Sequence, residues 1–471
     1  LLLKSGSMTD GGLGRRQSAV RCLAIAAGAL GLCWPALWNR YPLLFPDSIS
    51  YIQDGRSVWL TLSGRLRGFA GMRSEMYSGG IFLAHWGWSP WPIVVLQALL
   101  TAWMVWLVVR VLVTRRVEWV YLAIMAVLCV GTSAGWYASF VMPDVLGALT
   151  YLGMFLVVFA SDSLRIWERW AVLAVAAWGV TAHATHLLLA LGLCVVLAAM
   201  AKWCRTSWRG VVQVTAMVLA AVAAQVGLHW ALYGKPTLNA DRPAYLMGRL
   251  FGDGPARDYL KANCGHLDWT VCRWVDRLPT SDDEFLWGED SIWMVATPAE
   301  KRGLRAEELP LAIATVRAYP GAQLGRSWEN FTEQLTGFGL DDFDNNYWMQ
   351  GMIGRAMPDG AARYGLSLES RNGLPEELFT RVQNWVVGIA AVAMLVLLPW
   401  WRKEPQMVGL TVMVVFIEVV NAAVTGVLSE VDSRYQSRVV WLVALTGMLV
   451  VARVWERRRG AVPGSQSLSS S

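Results

Sequence analysis

Residues 91–113 read WPIVVLQALLTAWMVWLVVRVLV, an apolar run of bilayer length in which Arg110 is the only charge. A hydrocarbon core about 30 Å thick is crossed by about 20 helical residues of this kind. Arg115 and Arg116 follow the run, so it ends on a basic edge of the sort that anchors a helix on the cytoplasmic side. Working outward, comparable runs lie at 18–39, 117–137, 143–160, 168–182, 184–201, 210–231, 384–401, 406–428 and 437–454. The pattern predicts an all-α polytopic membrane protein of about ten transmembrane helices. The fifth and sixth runs are short and nearly continuous around His183 and His186, so they read either as two helices or as one bent or re-entrant unit.

Composition agrees. Of the 471 residues 55% are hydrophobic and only 16% charged, where a soluble domain carries about 25% charge. Twenty-seven Trp suit a chain with many membrane–water crossings. The net charge of +6 sits in Arg clusters between apolar runs, a pattern of membrane anchoring that predicts no nucleic acid partner. The first run is too long for a signal-peptide core and reads as an anchor; residues before Met8 are left out of the fold reading.

Basic residues follow every second run: Arg110, Arg115 and Arg116; Arg165 and Arg169; Lys202, Arg205 and Arg209; Arg402 and Lys403; Arg457, Arg458 and Arg459. Together with Arg15, Arg16 and Arg21 before the first run, they place both termini in the cytoplasm. One loop runs against the bias, since Arg40, Arg56, Arg65, Arg67 and Arg73 fall on the side made external. The expected organisation is a cytoplasmic tail over 1–17, a membrane core over 18–231 with a first external loop over 40–90, and an extracytoplasmic, mainly helical domain over 232–383. Three further spans follow over 384–454, and a cytoplasmic tail over 455–471, Ser-rich and disordered after Gly460. The 232–383 segment carries well over half of the 35 acidic residues. Its Cys264 and Cys272 lie where an oxidising compartment permits a disulfide.

The parity of the spans puts Asp47, Asp144, His183, His186, Arg434 and Arg438 on one membrane face. Each has a plain structural reading. Asp47 or Ser48 can cap a helix, and Asp144 can cap the next. His183 and His186, at i and i+3, share a helical face, but no Cys or carboxylate stands nearby in sequence to complete a zinc set. Asp342, Asp344 and Asn346 imitate the start of a calcium loop, yet Tyr347 and Ile353 replace the required Gly and Glu, and that site is rejected. Glu418 and Asn421, one turn apart inside the ninth run, read either as a functional intramembrane acid or as an interhelical hydrogen bond.

Phe45-Pro46-Asp47-Ser48-Ile49-Ser50-Tyr51 after the first run, Met142-Pro143-Asp144-Val145-Leu146 before the fourth, and Arg434-Tyr435 opening the last resemble the GT-C superfamily of membrane glycosyltransferases. Aminoarabinose transferases and protein O-mannosyltransferases belong to that superfamily. Residues 73–83 (RSEMYSGGIFL) loosely match the stretch such enzymes place before the second span. Ser48 stands where many relatives carry a second acid, and His183 and His186 where some carry Lys. The resemblance implies a polyprenyl-phosphate-linked sugar donor in the lipid bilayer, transfer on the external face to a glycan, lipid or protein acceptor, and residence in a bacterial inner membrane. No cofactor is called for, and a divalent metal is left open. It implies Asp47 as general base, Asp144 as stabiliser of an oxocarbenium-like transition state, and His183, His186, Arg434, Tyr435 and Arg438 around the donor phosphate. The alternative expectation is a transporter or flippase for a lipid-linked envelope precursor, with Glu418 in a proton relay.

Overall fold

The computed structural model describes residues 10–69, 71, 73–204, 206–238, 242–343, 349–357 and 359–460. The Ser-rich tail, the residues before Met8, and Asp344, Asn346 and Tyr347 of the rejected calcium loop lie outside them. The described chain is helical, with one isolated bridge between Leu43 and Phe140. In order the helices are α1 (Asp10–Leu32), α2 (Trp34–Asn39), α3 (Pro46–Leu62), α4 (Glu75–His85), α5 (Trp91–Leu112), α6 (Val117–Gly131), α7 (Ala134–Ser139), α8 (Asp144–Phe159), α9 (Ile166–Ala182), α10 (Ala184–Cys204) and α11 (Trp208–Tyr233). Then come α12 (Tyr245–Asp253), α13 (Pro255–Asn263), α14 (Asp282–Leu286), α15 (Ile292–Val295), α16 (Pro298–Ala318), α17 (Pro320–Thr336), α18 (Met349–Ala356), α19 (Gly360–Tyr364), α20 (Glu376–Val396), α21 (Leu398–Trp401), α22 (Pro405–Leu428) and α23 (Ser433–Gly460).

Among the described residues six helices are long and apolar enough to cross a membrane: α5, α10, α11, α20, α22 and α23. About ten runs were expected, and the difference has local causes. The run at 18–39 breaks at Cys33, because Pro35 opens a new helix and cannot continue the old one. The run at 117–137 breaks after Gly131, where Thr132 is extended and its hydroxyl bonds back to Leu128 O at 2.7 Å. α8 and α9 survive whole but have 16 and 17 residues, about 24 and 26 Å at 1.5 Å per residue. The fifth and sixth runs are two helices parted by one extended residue, His183.

The chain forms two compact units, one of 1–238, 340–416 and 438–471, the other of 239–339 and 417–437. In the first, α8 is buried along its whole length, and it packs against α5, α9, α10 and α11. A helix apolar all round belongs in such a central place. Its approach to α9 is close enough that a Cβ at Gly179 would stand 2.1 Å from Thr150 Oγ1 and 2.7 Å from Leu146 O, so glycine is what lets the two backbones meet.

The second unit is built on a core of Met247, Phe251, Leu260, Trp274, Phe285 and Leu304, among others. Buried Asp253 gathers Arg249 Nε at 2.9 Å, Gln323 Nε2 at 2.6 Å and Asn330 Nδ2 at 2.8 Å, which ties α12 to α17. Thr297 and Glu300 close a capping box at the start of α16. Cys264 and Cys272 are joined, with Cα atoms 5.4 Å apart. Gln334 exchanges two hydrogen bonds with the backbone of Asp432, fixing the 417–437 stretch to α17. The described residues of 340–383, polar like those before them, fold with the first unit.

Candidate functional site

Two segments distant in sequence are stitched together at the head of α8. Leu43 N donates to Ser139 O at 3.0 Å and Val141 N donates to Leu43 O at 3.0 Å, while the Phe45 and Phe140 rings meet edge to face. Just beyond this bridge each segment turns into a helix through the same order of residues, Phe45-Pro46-Asp47 into α3 and Met142-Pro143-Asp144 into α8. Proline suits a helix start because its missing N–H would be unbonded there anyway. Both acids then fall in a first turn, where the helix dipole favours negative charge.

Neither acid is occupied as a cap. At α3 the Ser48 hydroxyl accepts from Phe45 N at 2.9 Å, and the Asp47 carboxylate is instead in an ion pair with Arg73. Asp144 is the first residue of α8, after Pro143 at the N-cap; its Oδ1 lies 3.6 Å from Arg438 Nη1 on α23. Arg438 Nη2 donates to Thr185 Oγ1 at 2.8 Å, and Thr185 Oγ1 is 2.8 Å from His183 Nδ1. Because His183 Nδ1 also accepts the Thr185 backbone N–H at 3.3 Å, a neutral His183 carries its proton on Nε2. His186 has the opposite tautomer. Its Nδ1 faces the Gly179 carbonyl at 3.0 Å, which can only accept, so Nε2 is the bare nitrogen. That nitrogen packs on α8, where a Cβ at Gly147 would be 2.6 Å away.

Asp47, Asp144, His183, His186 and Arg438 thus belong to one unit, with Asp144, Arg438, Thr185 and the two imidazoles in one connected group. Arg434 and Tyr435 fall in the other unit, where the Arg434 guanidinium lies 5.0 Å over the Tyr435 ring. Glu418 accepts from Gln436 Nε2 at 2.5 Å and Asn421 donates to Gln436 Oε1 at 3.0 Å. These bonds join α22 to α23. Among the described residues no three His, Cys, Asp or Glu side chains are grouped to hold a metal ion.

No family model, curated protein or solved structure matches the chain.

Several supporting residues escaped the sequence reading. Gln97 of α5 donates to Phe140 O at 2.7 Å and accepts from the Tyr77 hydroxyl at 2.7 Å, pinning the turn that delivers Asp144. A lone amide in an apolar run was its visible signal. Glu369, fully buried, accepts from Leu44 N at 3.1 Å and from Asn39 Nδ2 at 3.3 Å, and its own N–H donates to Asn39 Oδ1 at 2.8 Å. Burial pushes its carboxyl well above the usual carboxylate range, against the pull of those hydrogen bonds. It clamps the strand-like segment before Asp47, and nothing in its sequence neighbourhood announces a partner more than three hundred residues away.

Proposed function

We propose that the protein is a GT-C-like membrane glycosyltransferase that moves a sugar from a polyprenyl-phosphate donor to an envelope acceptor on the extracytoplasmic face. The observation that carries this reading is the buried Asp144–Arg438–Thr185 group at the head of α8, whose lead-in residue Phe140 pairs with Leu43 of the segment before Asp47. Such convergence is what alternating spans with both termini in the cytoplasm would produce. In that topology α1, α6, α8 and α9 join the six longer helices as shorter crossings, and 239–339 lies outside the cell's inner membrane.

In the proposed reaction the acceptor hydroxyl gives its proton to Asp47 as its oxygen bonds the anomeric carbon. The bond from that carbon to the phosphate oxygen breaks, and the polyprenyl phosphate leaves with the electron pair. Asp144 stabilises positive charge developing on the sugar. Arg438, with the His183 Nε2–H, meets the phosphate, and Arg434 and Tyr435 complete the donor contacts by the resemblance alone. The rival reading of a transporter keeps one supporting observation, the buried Glu418–Gln436 contact. Purified protein given a panel of polyprenyl-phosphate sugars and mixed envelope acceptors distinguishes them: release of lipid phosphate supports the transferase, and substrate-dependent movement across a vesicle without bond cleavage supports the transporter.

A further inference from the structure

The arginines that break the positive-inside bias of the first loop are only partly explained by the site above, which uses Arg73 alone. Arg56 and Arg65 instead line a pocket of about 310 Å³ with Trp59, Ser63 and Phe82 on the α3–α4 hairpin. Both are exposed, and among the described residues neither guanidinium has an ion-pair or hydrogen-bond partner. Arg56 is nine residues along α3 from Asp47, about 13 Å at the helical rise, so this is a separate place on the same helix.

The adjoining rows of the same two helices wall a second, apolar groove of about 370 Å³. Val58, Leu62, Met76, Leu96, Trp178 and Leu228 line it, with Gly79 and Gly80 presenting backbone. The hairpin between the two is held by the Trp59 indole, which donates to Gly79 O at 2.9 Å. Glu75 is the one carboxylate on the groove wall, and it is already engaged. Tyr233 donates to its Oε1 at 2.5 Å, and His229 Nε2 lies 2.9 Å from its Oε2. His229 Nδ1 faces the Thr237 carbonyl at 2.7 Å and so carries a hydrogen, and its Nε2 faces Gln225 Nε2 at 2.8 Å as well as Glu75.

Depth identifies what the groove meets. Leu96 is five residues inside the start of α5 and Leu228 five residues inside the end of α11, each about 7.5 Å from its helix end. Around those ends Trp59, Trp86, Trp88 and Trp230 are exposed, the disposition of an aromatic belt at the headgroup level. The basic pocket then belongs to the headgroup zone and the groove to the acyl zone.

We propose that the α3–α4 hairpin binds an anionic glycerophospholipid of the surrounding bilayer, with Arg56 and Arg65 holding its phosphate and one acyl chain lying in the groove between Met76, Leu96 and Leu228. Two guanidiniums with no protein partner supply charge-assisted donors for a phosphate. The groove supplies apolar contact for hydrocarbon, and the one carboxylate on its wall is engaged by Tyr233 and His229. This assignment stands independently of the transferase reading.

The test uses the full chain reconstituted in phosphatidylcholine containing a minority of phosphatidylglycerol, then extracted mildly and weighed with its retained lipids by native mass spectrometry. Wild type is expected to retain phosphatidylglycerol over phosphatidylcholine. Arg56→Gln/Arg65→Gln is expected to lower that preference on the order of tenfold or more with an unchanged thermal melt, since both side chains are at the surface. Leu228→Trp, which fills the groove from another helix, is expected to reduce retention without touching a charge. Equal retention of the two lipids by wild type, or an undiminished preference in the double variant, overturns the site. Displacement of phosphatidylglycerol by an equal amount of polyprenyl phosphate overturns the choice of ligand and returns the pocket to the lipid-linked substrate.

Discussion

Arg438 Nη1 stands 3.6 Å from Asp144 Oδ1, with the two side chains only 1% and 3% exposed. A guanidinium and a carboxylate this deeply placed are costly to desolvate, and removing one partner leaves the other's charge uncompensated. Asp144→Asn is therefore expected to lower stability by about 3–5 kcal/mol, read as a depressed thermal melt in detergent. Asp144→Leu/Arg438→Met, which removes both charges, should recover most of the loss while leaving the protein inactive. A melt unmoved by Asp144→Asn would mean that the pair does not form.

Gln97 tests how the Asp144 turn is held. Gln97→Leu strands the buried Tyr77 hydroxyl and leaves the Phe140 carbonyl to Met142 N at 2.8 Å; a buried group left unbonded costs about 1–3 kcal/mol. The expected result is a lower melt together with a fall in turnover per folded molecule; a change in melt alone would limit Gln97 to structure.

The helices were legible in the sequence wherever an apolar run met no internal break, as in α5, α11 and α22. They were misjudged where hydropathy averages across a break. Thr132 and Ser133 scarcely lower the mean of 117–137, yet Thr132 is extended and ends α6. Pro35 lies inside an equally apolar run and starts α2. For the site, Asp47, Asp144, His183, His186 and Arg438 could be picked out because acids, imidazoles and late arginines are rare beside such runs. Their partners could not. The Asp47 contact with Arg73, the Asp144 contact with Arg438 and the Leu44 contact with Glu369 join residues far apart in the chain, and neither periodicity nor charge counting encodes which distant loops meet.

The Cys264–Cys272 link closes a loop of sequence separation 8 in the second unit. Restricting so short a loop stabilises by about 2.5 kcal/mol in the chain-entropy account. Cys264→Ser/Cys272→Ser is expected to lose that much in a chemical melt, and non-reducing peptide mapping of wild type should return the two cysteines as one linked peptide pair.

Glu430, half-buried in the turn between α22 and α23, has its carboxyl pushed up to about 8, by burial first and then by Asp282, Asp432 and Asp283, with Arg434 pulling the other way. An unfolded chain releases this proton near 4.5, whereas the folded chain keeps it to about 8. The folded state binds more protons in that interval, so this group's contribution to stability falls as pH rises from about 4.5 to 8 and is level above it. Glu430→Gln should flatten that part of the melt-versus-pH curve and raise the melt at the alkaline end. An unchanged curve would show that Glu430 titrates normally.

In the proposed mechanism Asp47 takes the acceptor's proton. Asp47→Asn keeps the size of the side chain, and because Ser48 bonds the Phe45 N–H, the start of α3 is expected to survive the change. The amide cannot act as a base at neutral pH. The decisive measurement is the rate of lipid-phosphate release from a polyprenyl-phosphate sugar by purified Asp47→Asn protein, compared with wild type at matched thermal melts. A fall of about 10²- to 10⁴-fold is predicted; release at the wild-type rate by a folded Asp47→Asn protein would contradict the mechanism.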